Sequence, residues 1–201
     1  MSPIRHPNLL SLGQNARQFT SVLRSGFNVI HLDSPLDLEV VTSNPPDIVL
    51  SFGYKHVIPK RMLEKLGNRA YNVHVSLLPW NRGMHPNFWS WLENTPKGVS
   101  IHRISENLDE GDLVAQKELE LSESATLFTS YQQLLAEAQG LLAKNWMSMV
   151  QGTVELVKQD LTTGSFHRGS ELEQYWPLLG KGWQTSCGEV AEIGRAQGLW
   201  R

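Results

Sequence analysis

Short apolar runs alternate with helical segments from residue 9 to about 75, and this alternation predicts a parallel sheet covered by helices. Leu9 to Leu12 reads as the first strand, followed by Gly13. Asn15 to Ser25 reads as a helix, with Phe19, Val22 and Leu23 on one face and Gly26 placed for a left-handed cap. Asn28 to Leu32 is the second strand, and the polar, proline-marked stretch from Asp33 to Pro46 is a connection. Ile48, Val49 and Leu50 form the continuous apolar run of a strand buried on both faces. Pro59 and Gly67 bracket the next helix, and Ala70 to His74 is the fourth strand.

The grammar then changes. Gly98 to Arg103 and Leu113 to Leu121 are strand-like runs separated by a polar turn containing Gly111, which predicts an antiparallel addition to the sheet. From Thr126 to Val150, Leu127, Tyr131, Leu134, Leu135, Ala138, Leu141, Leu142, Met149 and Val150 recur at three- and four-residue steps, which predicts a long helix packed along the sheet. The segment from Ser165 onward mixes Trp176, Trp183 and Trp200 with glycines and polar residues, so short helices in a loop-rich cap are expected. The whole reads as α/β: a Rossmann-like open sheet, mostly parallel with an antiparallel C-terminal addition and helices on both faces. Residues 1–164 form the body, and 165–201 form an extension packed on it.

Composition narrows the function classes. The length of 201 residues suits one domain, and 40% hydrophobic residues exclude disorder for most of the chain. The formal net charge of -2 offers no cationic field for nucleic acid. The single Cys187 builds neither an internal disulfide nor a thiolate zinc site. No stretch has the apolar length of a membrane helix, and the start lacks a signal-like pattern, so a cytoplasmic protein without membrane contact is expected. No G-x-G-x-x-G follows the first strand, and no phosphate-binding G-x-x-x-x-G-K-[ST], H-E-x-x-H pair or G-x-S-x-G elbow occurs. No metal site is expected.

Candidate chemistry concentrates in Tyr71-Asn72-Val73-His74-Val75-Ser76-Leu77-Leu78-Pro79, where a buried strand reaches its carboxyl edge. Asn72 and His74 are two apart, so an amide and an imidazole share one strand face. Spacing alone leaves a second reading open, in which Asn72 caps a turn and His74 is a satisfied, half-buried histidine.

Together with Asp109 in the turn Asn107-Leu108-Asp109-Glu110-Gly111-Asp112, these residues resemble the folate-dependent formyltransferase family. The likeness covers roughly residues 48 to 120, as blocks in order: Asn72 to Pro79, Arg82-Gly83, Gly98-Val99-Ser100-Ile101-His102, Leu108 to Asp112, and Gln116. Val75 replaces the proline that usually follows the histidine, and the loop around Gly13 lacks the family's glycine-serine phosphate loop. The resemblance implies a catalytic domain over 1–164 with Asn72, His74 and Asp109 as catalytic residues. It implies N10-formyltetrahydrofolate as donor, with the pterin held by Tyr54, Lys55, His56, Val57 and Ile58 and by Ser105, Asn107 and Asp109.

The chemistry accounts for those residue types. In formyl transfer to an amine, the formyl oxygen becomes negative and the attacking nitrogen positive. An amide N–H suits a preorganised oxyanion hole, a protonated imidazole adds a donor, and a carboxylate favours that protonation or accepts the amine's proton.

The loop from Trp80 to Trp89 and the phrase Thr95-Pro96-Lys97-Gly98 look most like sugar N-formyltransferases, which implies a nucleotide-linked amino sugar as acceptor and allows a homodimer. Ser76, Arg82 and Gly83 are then expected at the acceptor, with Arg82 either on a pyrophosphate or simply at the surface. Trp80, Trp89 and Trp91 either stack on a base or belong to a core. Phosphoribosylglycinamide formyltransferase is the alternative, and a folate- or nucleotide-binding module without turnover is a third reading. Methionyl-tRNA formyltransferases share the loop, but they call for a basic face and a further C-terminal module.

Overall fold

The computed structural model describes residues 6–22, the last by its backbone alone, and 26–201. Leu23 to Ser25, where the first helix was expected to end, lie outside the described residues. The chain runs β1 (Asn8–Leu12), α1 (Gln14–Val22), β2 (Asn28–Leu32), α2 (Leu38–Ser43), β3 (Ile48–Phe52), α3 (Lys60–Leu66), β4 (Ala70–His74), β5 (Arg82–Gly83), α4 (Pro86–Leu92), β6 (Gly98–Arg103), β7 (Leu113–Glu118), α5 (Leu127–Gln151), β8 (Phe166–His167), three short 3-10 helices and α6 (Cys187–Ala196). The main sheet has the order β2-β1-β3-β4-β6-β7. The first four of these strands are parallel, and β6 and β7 join antiparallel, as the α/β reading expects.

Period-two alternation divides each central strand between two environments. Tyr71, Val73 and Val75, with Val99 and Ile101, face α5 and pack on Leu134, Ala138, Leu142 and Trp146. Those α5 residues recur at four-residue steps, so a single stripe of the helix covers that face. Thr126 caps its start by accepting from the Thr129 N–H, and Gly152 ends it in a left-handed conformation. On the opposite face, α2 and α3 cover β1 and β3 with Val41, Met62 and Leu66 against Leu10, Leu12 and Val49. Beyond Ala70, which packs on α3, that side of β4 and β6 turns polar with Asn72, His74, Ser100 and His102.

Four elements depart from the sequence reading. The expected connection over Asp33–Pro46 contains α2, capped by Asp37 on the Glu39 N–H. The six residues after Pro86 in α4 are all buried, so the helix carries no apolar stripe to betray it. Phe88, Trp89, Trp91 and Leu92 meet Cys187 and Val190 of α6 and Leu172 and Leu179 in a second core, which is what binds the C-terminal segment to the body. Finally, β5 pairs with β8 in a small parallel ribbon.

The contact of α4 with α6 depends on Gly194, where a Cβ would come 1.7 Å from the Leu92 carbonyl oxygen. Gly194→Ala is therefore expected to destabilise the protein by about 1–3 kcal/mol through forced repacking, despite alanine's higher helix propensity. Denaturant unfolding measures this, and a variant as stable as the wild type would show that the helices separate at no cost.

Candidate active site

The pairing of β4 with β6 sets the site. Antiparallel register places Asn72 opposite His102 and His74 opposite Ser100, so two polar pairs stand on one sheet face. The loop after β6 starts at the amino end of β4, where the Ile104 N–H binds the Ala70 carbonyl at 2.8 Å. It then passes over that face to bring Asp109 to Asn72. The groups thus converge over the face at the parallel-to-antiparallel junction. His74 is the last residue of β4, so the cluster lies toward that strand's carboxyl end, and the register with β6 adds His102 to it.

Asp109 is 6% exposed, and donors surround its carboxylate. Asn72 Nδ2 donates to Oδ1 at 3.3 Å, and the Gly83 backbone N–H donates to Oδ2 at 2.9 Å. His102 Nε2 lies 3.3 Å from Oδ1, and His74 Nδ1 lies 3.7 Å from Oδ2. Burial by itself pushes this carboxyl up; the facing His74, the His102 hydrogen bond and the Gly83 N–H outweigh it and hold Asp109 well below the usual carboxylate range. It stays ionised in the folded protein.

Each neighbour is held from behind. His74 Nε2 donates to the Asn81 carbonyl at 2.9 Å, which aims Nδ1 at Asp109. His102 Nδ1 donates to the Arg103 carbonyl at 2.8 Å, which aims Nε2 between Asp109 Oδ1, 3.3 Å away, and Asn72 Nδ2, 3.1 Å away. The amide nitrogen of Asn72 thus sits between His102 and Asp109. Gln159 donates to the carbonyls of Asp109 and Gly111 at 2.8 and 2.7 Å and latches the loop. Gly83 can adopt no other identity: its φ is +91°, and a Cβ would lie 2.2 Å from the His167 carbonyl oxygen of β8. The β5–β8 ribbon is what carries its N–H to the carboxylate.

A cavity of about 570 Å³ opens over this cluster. Asn72, His74, Asp109 and Gly83 line it, as do Tyr54, Lys55, His56, Val57, Ile58, Ser105 and Asn107, so all the expected donor-binding positions come together. The other two acceptor positions do not. The Ser76 hydroxyl donates to the Trp80 carbonyl at 2.7 Å and lies outside the cavity lining. Arg82 is ion-paired with Glu110, and its Nε donates to the Ser165 carbonyl at 3.4 Å, so its guanidinium is engaged within the protein. Trp89 and Trp91 belong to the second core, which settles those two for packing. Trp80 is half-buried and lines no part of the cavity. His102 is the site residue that sequence reasoning quoted without a role; its signal was the Val99/Ile101 against Ser100/His102 alternation, which becomes informative once the pairing is known.

The fold is shared with formyltransferases. The sequence pattern described as formyl transferase matches residues 31–145, and the chain belongs to that family. The formyltransferase PseJ from Anoxybacillus kamchatkensis, solved in complex with UDP-4,6-dideoxy-4-formamido-L-AltNAc and tetrahydrofolate, is 34% identical with a TM-score of 0.86, covering 92% of this chain and 99% of that one. A 4-N formyltransferase from Francisella tularensis shares the fold at 19% identity, with a TM-score of 0.75 over 86% of this chain and 81% of that one. The methionyl-tRNA formyltransferase of Bacillus cytotoxicus is 33% identical over 139 residues, 69% of this chain but 44% of that protein. The chain thus spans less than half the length of the curated relatives it matches. Among the described residues, no helix is long and apolar enough to cross a membrane.

The electrostatics predict a titration. A folded-state pKa below the unfolded value of about 3.9 means that the stability from ionised Asp109 is fully present above about pH 4 and is lost as pH falls through the folded value. Carboxyl ¹³C NMR should accordingly show Asp109 still ionised where ordinary exposed aspartates are half-protonated. An inflection at or above about pH 4 would contradict the arrangement of donors.

Proposed function

We propose that the protein transfers the formyl group of N10-formyltetrahydrofolate to the amine of a nucleotide-linked amino sugar. The observation that carries this reading is the buried, ionised Asp109, which fixes the amide of Asn72 and the ring of His74 at the wall of a cavity of about 570 Å³.

The residues expected to take the donor fit a flat, hydrogen-bonding ring system. Among the described residues, no backbone–backbone hydrogen bond engages Tyr54 to Ile58, although this segment lines the cavity, so its amides and carbonyls can turn to a pterin. Val57 is 76% exposed and Leu108 45% exposed on the two donor-side loops, apolar side chains that a bound ring would cover. The donor, when bound, supplies an electrophilic formyl carbon.

This chain's residues supply the rest. Asn72 hands one N–H, the longer one now on Asp109, to the formyl oxygen as that atom gains charge; an amide does so without changing its own charge. His74, tethered through Nε2 to Asn81, presents Nδ1 beside the same centre. Asp109 is a weak base in this setting, which favours electrostatic work over proton acceptance: it stabilises positive charge on the imidazole and on the attacking nitrogen. The new N–C bond forms as the bond from the formyl carbon to N10 breaks, and the proton released by the amine passes through water to N10 of the leaving tetrahydrofolate.

The amino-sugar reading draws support from the 34% identical PseJ, which matches nearly end to end and was solved with a UDP-linked formamido sugar and tetrahydrofolate. The net charge of -2 speaks against a tRNA acceptor.

Incubation with ¹³C-formyl donor and a UDP-linked 4-amino sugar, glycinamide ribonucleotide or methionyl-tRNA distinguishes the acceptors. A labelled formamide on the sugar is expected, and product on either of the others, or binding without product, would refute the proposal. Asn72→Ala should lower turnover on the order of 100- to 1000-fold with the fold retained. Unchanged turnover would remove the amide from the mechanism.

A further inference from the structure

Met84, His85 and Trp183 line the same cavity as the Asp109 cluster, and none of them has a role in the chemistry described. His85 follows Gly83 by two residues, so its Cα lies within about 7 Å of the glycine whose N–H holds Asp109. It adopts a left-handed backbone, φ 58° and ψ 42°, at the start of α4, a conformation uncommon for a non-glycine residue. Its ring meets that of Trp183 at a centroid distance of 5.8 Å, splayed by 30°.

A second histidine–tryptophan pair in the chain gives the contrast. Trp89 and His167 stack at 3.9 Å and 8°, both buried and closed to any ligand. The His85–Trp183 pair is open, and Trp183 remains 40% exposed while Trp176 braces it edge-on at 5.0 Å and 62°. Burial holds His85 toward its neutral form, in which the imidazole offers one donor and one acceptor. A braced, exposed indole beside a neutral imidazole is suited to a planar heteroaromatic ring, which gains by stacking and by an edge hydrogen bond.

We propose that Trp183, with His85 beside it, is the stacking platform for the base of the acceptor's nucleotide. This deepens the acceptor reading above and rests on it. Of the two flat rings that reading brings to the cavity, the pterin has the backbone of Tyr54 to Ile58, which leaves the aromatic platform to the base. The expected base-stacking candidates Trp80, Trp89 and Trp91 are not available, being buried in the second core or outside the cavity lining. The platform comes from the C-terminal segment instead, which gives the tryptophan-rich tail a function.

Calorimetric titration of the full chain with UDP, dTDP, inorganic pyrophosphate and tetrahydrofolate tests this. Wild type should bind both nucleotides more tightly than pyrophosphate. Trp183→Ala should weaken nucleotide binding on the order of 10- to 100-fold, the loss of one base stack, and leave tetrahydrofolate binding unchanged, while Trp183→Phe retains most of the nucleotide affinity. His85→Ala should show a smaller loss confined to nucleotides. Unaltered nucleotide binding in Trp183→Ala overturns the platform alone. A parallel loss of tetrahydrofolate affinity also overturns it, assigning the rings to the pterin or to the fold. A wild type that binds neither nucleotide overturns the acceptor reading with it.

Discussion

A single carboxylate buried among donors governs the rest of this structure. Taking Asp109 out of water is costly, and the fold compensates through the Gly83 N–H, the Asn72 amide and two imidazoles, drawn from β4, β5 and β6. Without the charge, the amide of Asn72 and the rings of His74 and His102 have no common point to address. Without the donors, the charge would not remain ionised at a buried position. The chemistry and the local architecture are therefore one arrangement. The antiparallel entry of β6 beside β4 makes it possible by putting two polar pairs on one face.

Support for that arrangement reaches well beyond the cluster. Gly83 belongs to a two-residue strand whose only named partner is β8, from the segment after α5, so the C-terminal region contributes to the position of a donor far away in sequence. The second core binds the same region through α4 and α6. The tail is thus part of the site's framework, and at Trp183 it reaches the cavity itself.

Much of this was legible from the chain. Alternating apolar runs located β1 to β4, β6, β7 and α5, and the strand limits Asn28–Leu32, Ala70–His74 and Gly98–Arg103 agree to the residue. Those elements have amphipathic or continuously apolar patterns because each faces one or two cores. What stayed hidden has no such pattern: α4 is buried almost all round, and β5 and β8 are two residues each. In the site, Asn72, His74 and Asp109 could be named, since their blocks resemble a family whose membership the chain proved to share. His102 needed the β4–β6 register, and Gln159, which latches the aspartate loop from 50 residues away, carries no local signal at all. The ion pair of Arg82 with Glu110, 28 residues on, likewise has no signal in the sequence.

The account stands most directly on the kinetics of Asp109→Asn, measured across pH with the amino-sugar acceptor and with folding confirmed by circular dichroism. Asparagine keeps the shape and removes the charge. The predicted result is a folded protein whose turnover falls by at least about 100-fold at every pH, because the electrostatic support for the reacting nitrogen is gone. A folded Asp109→Asn protein with turnover within a few-fold of wild type would show that the buried charge does not organise the transfer.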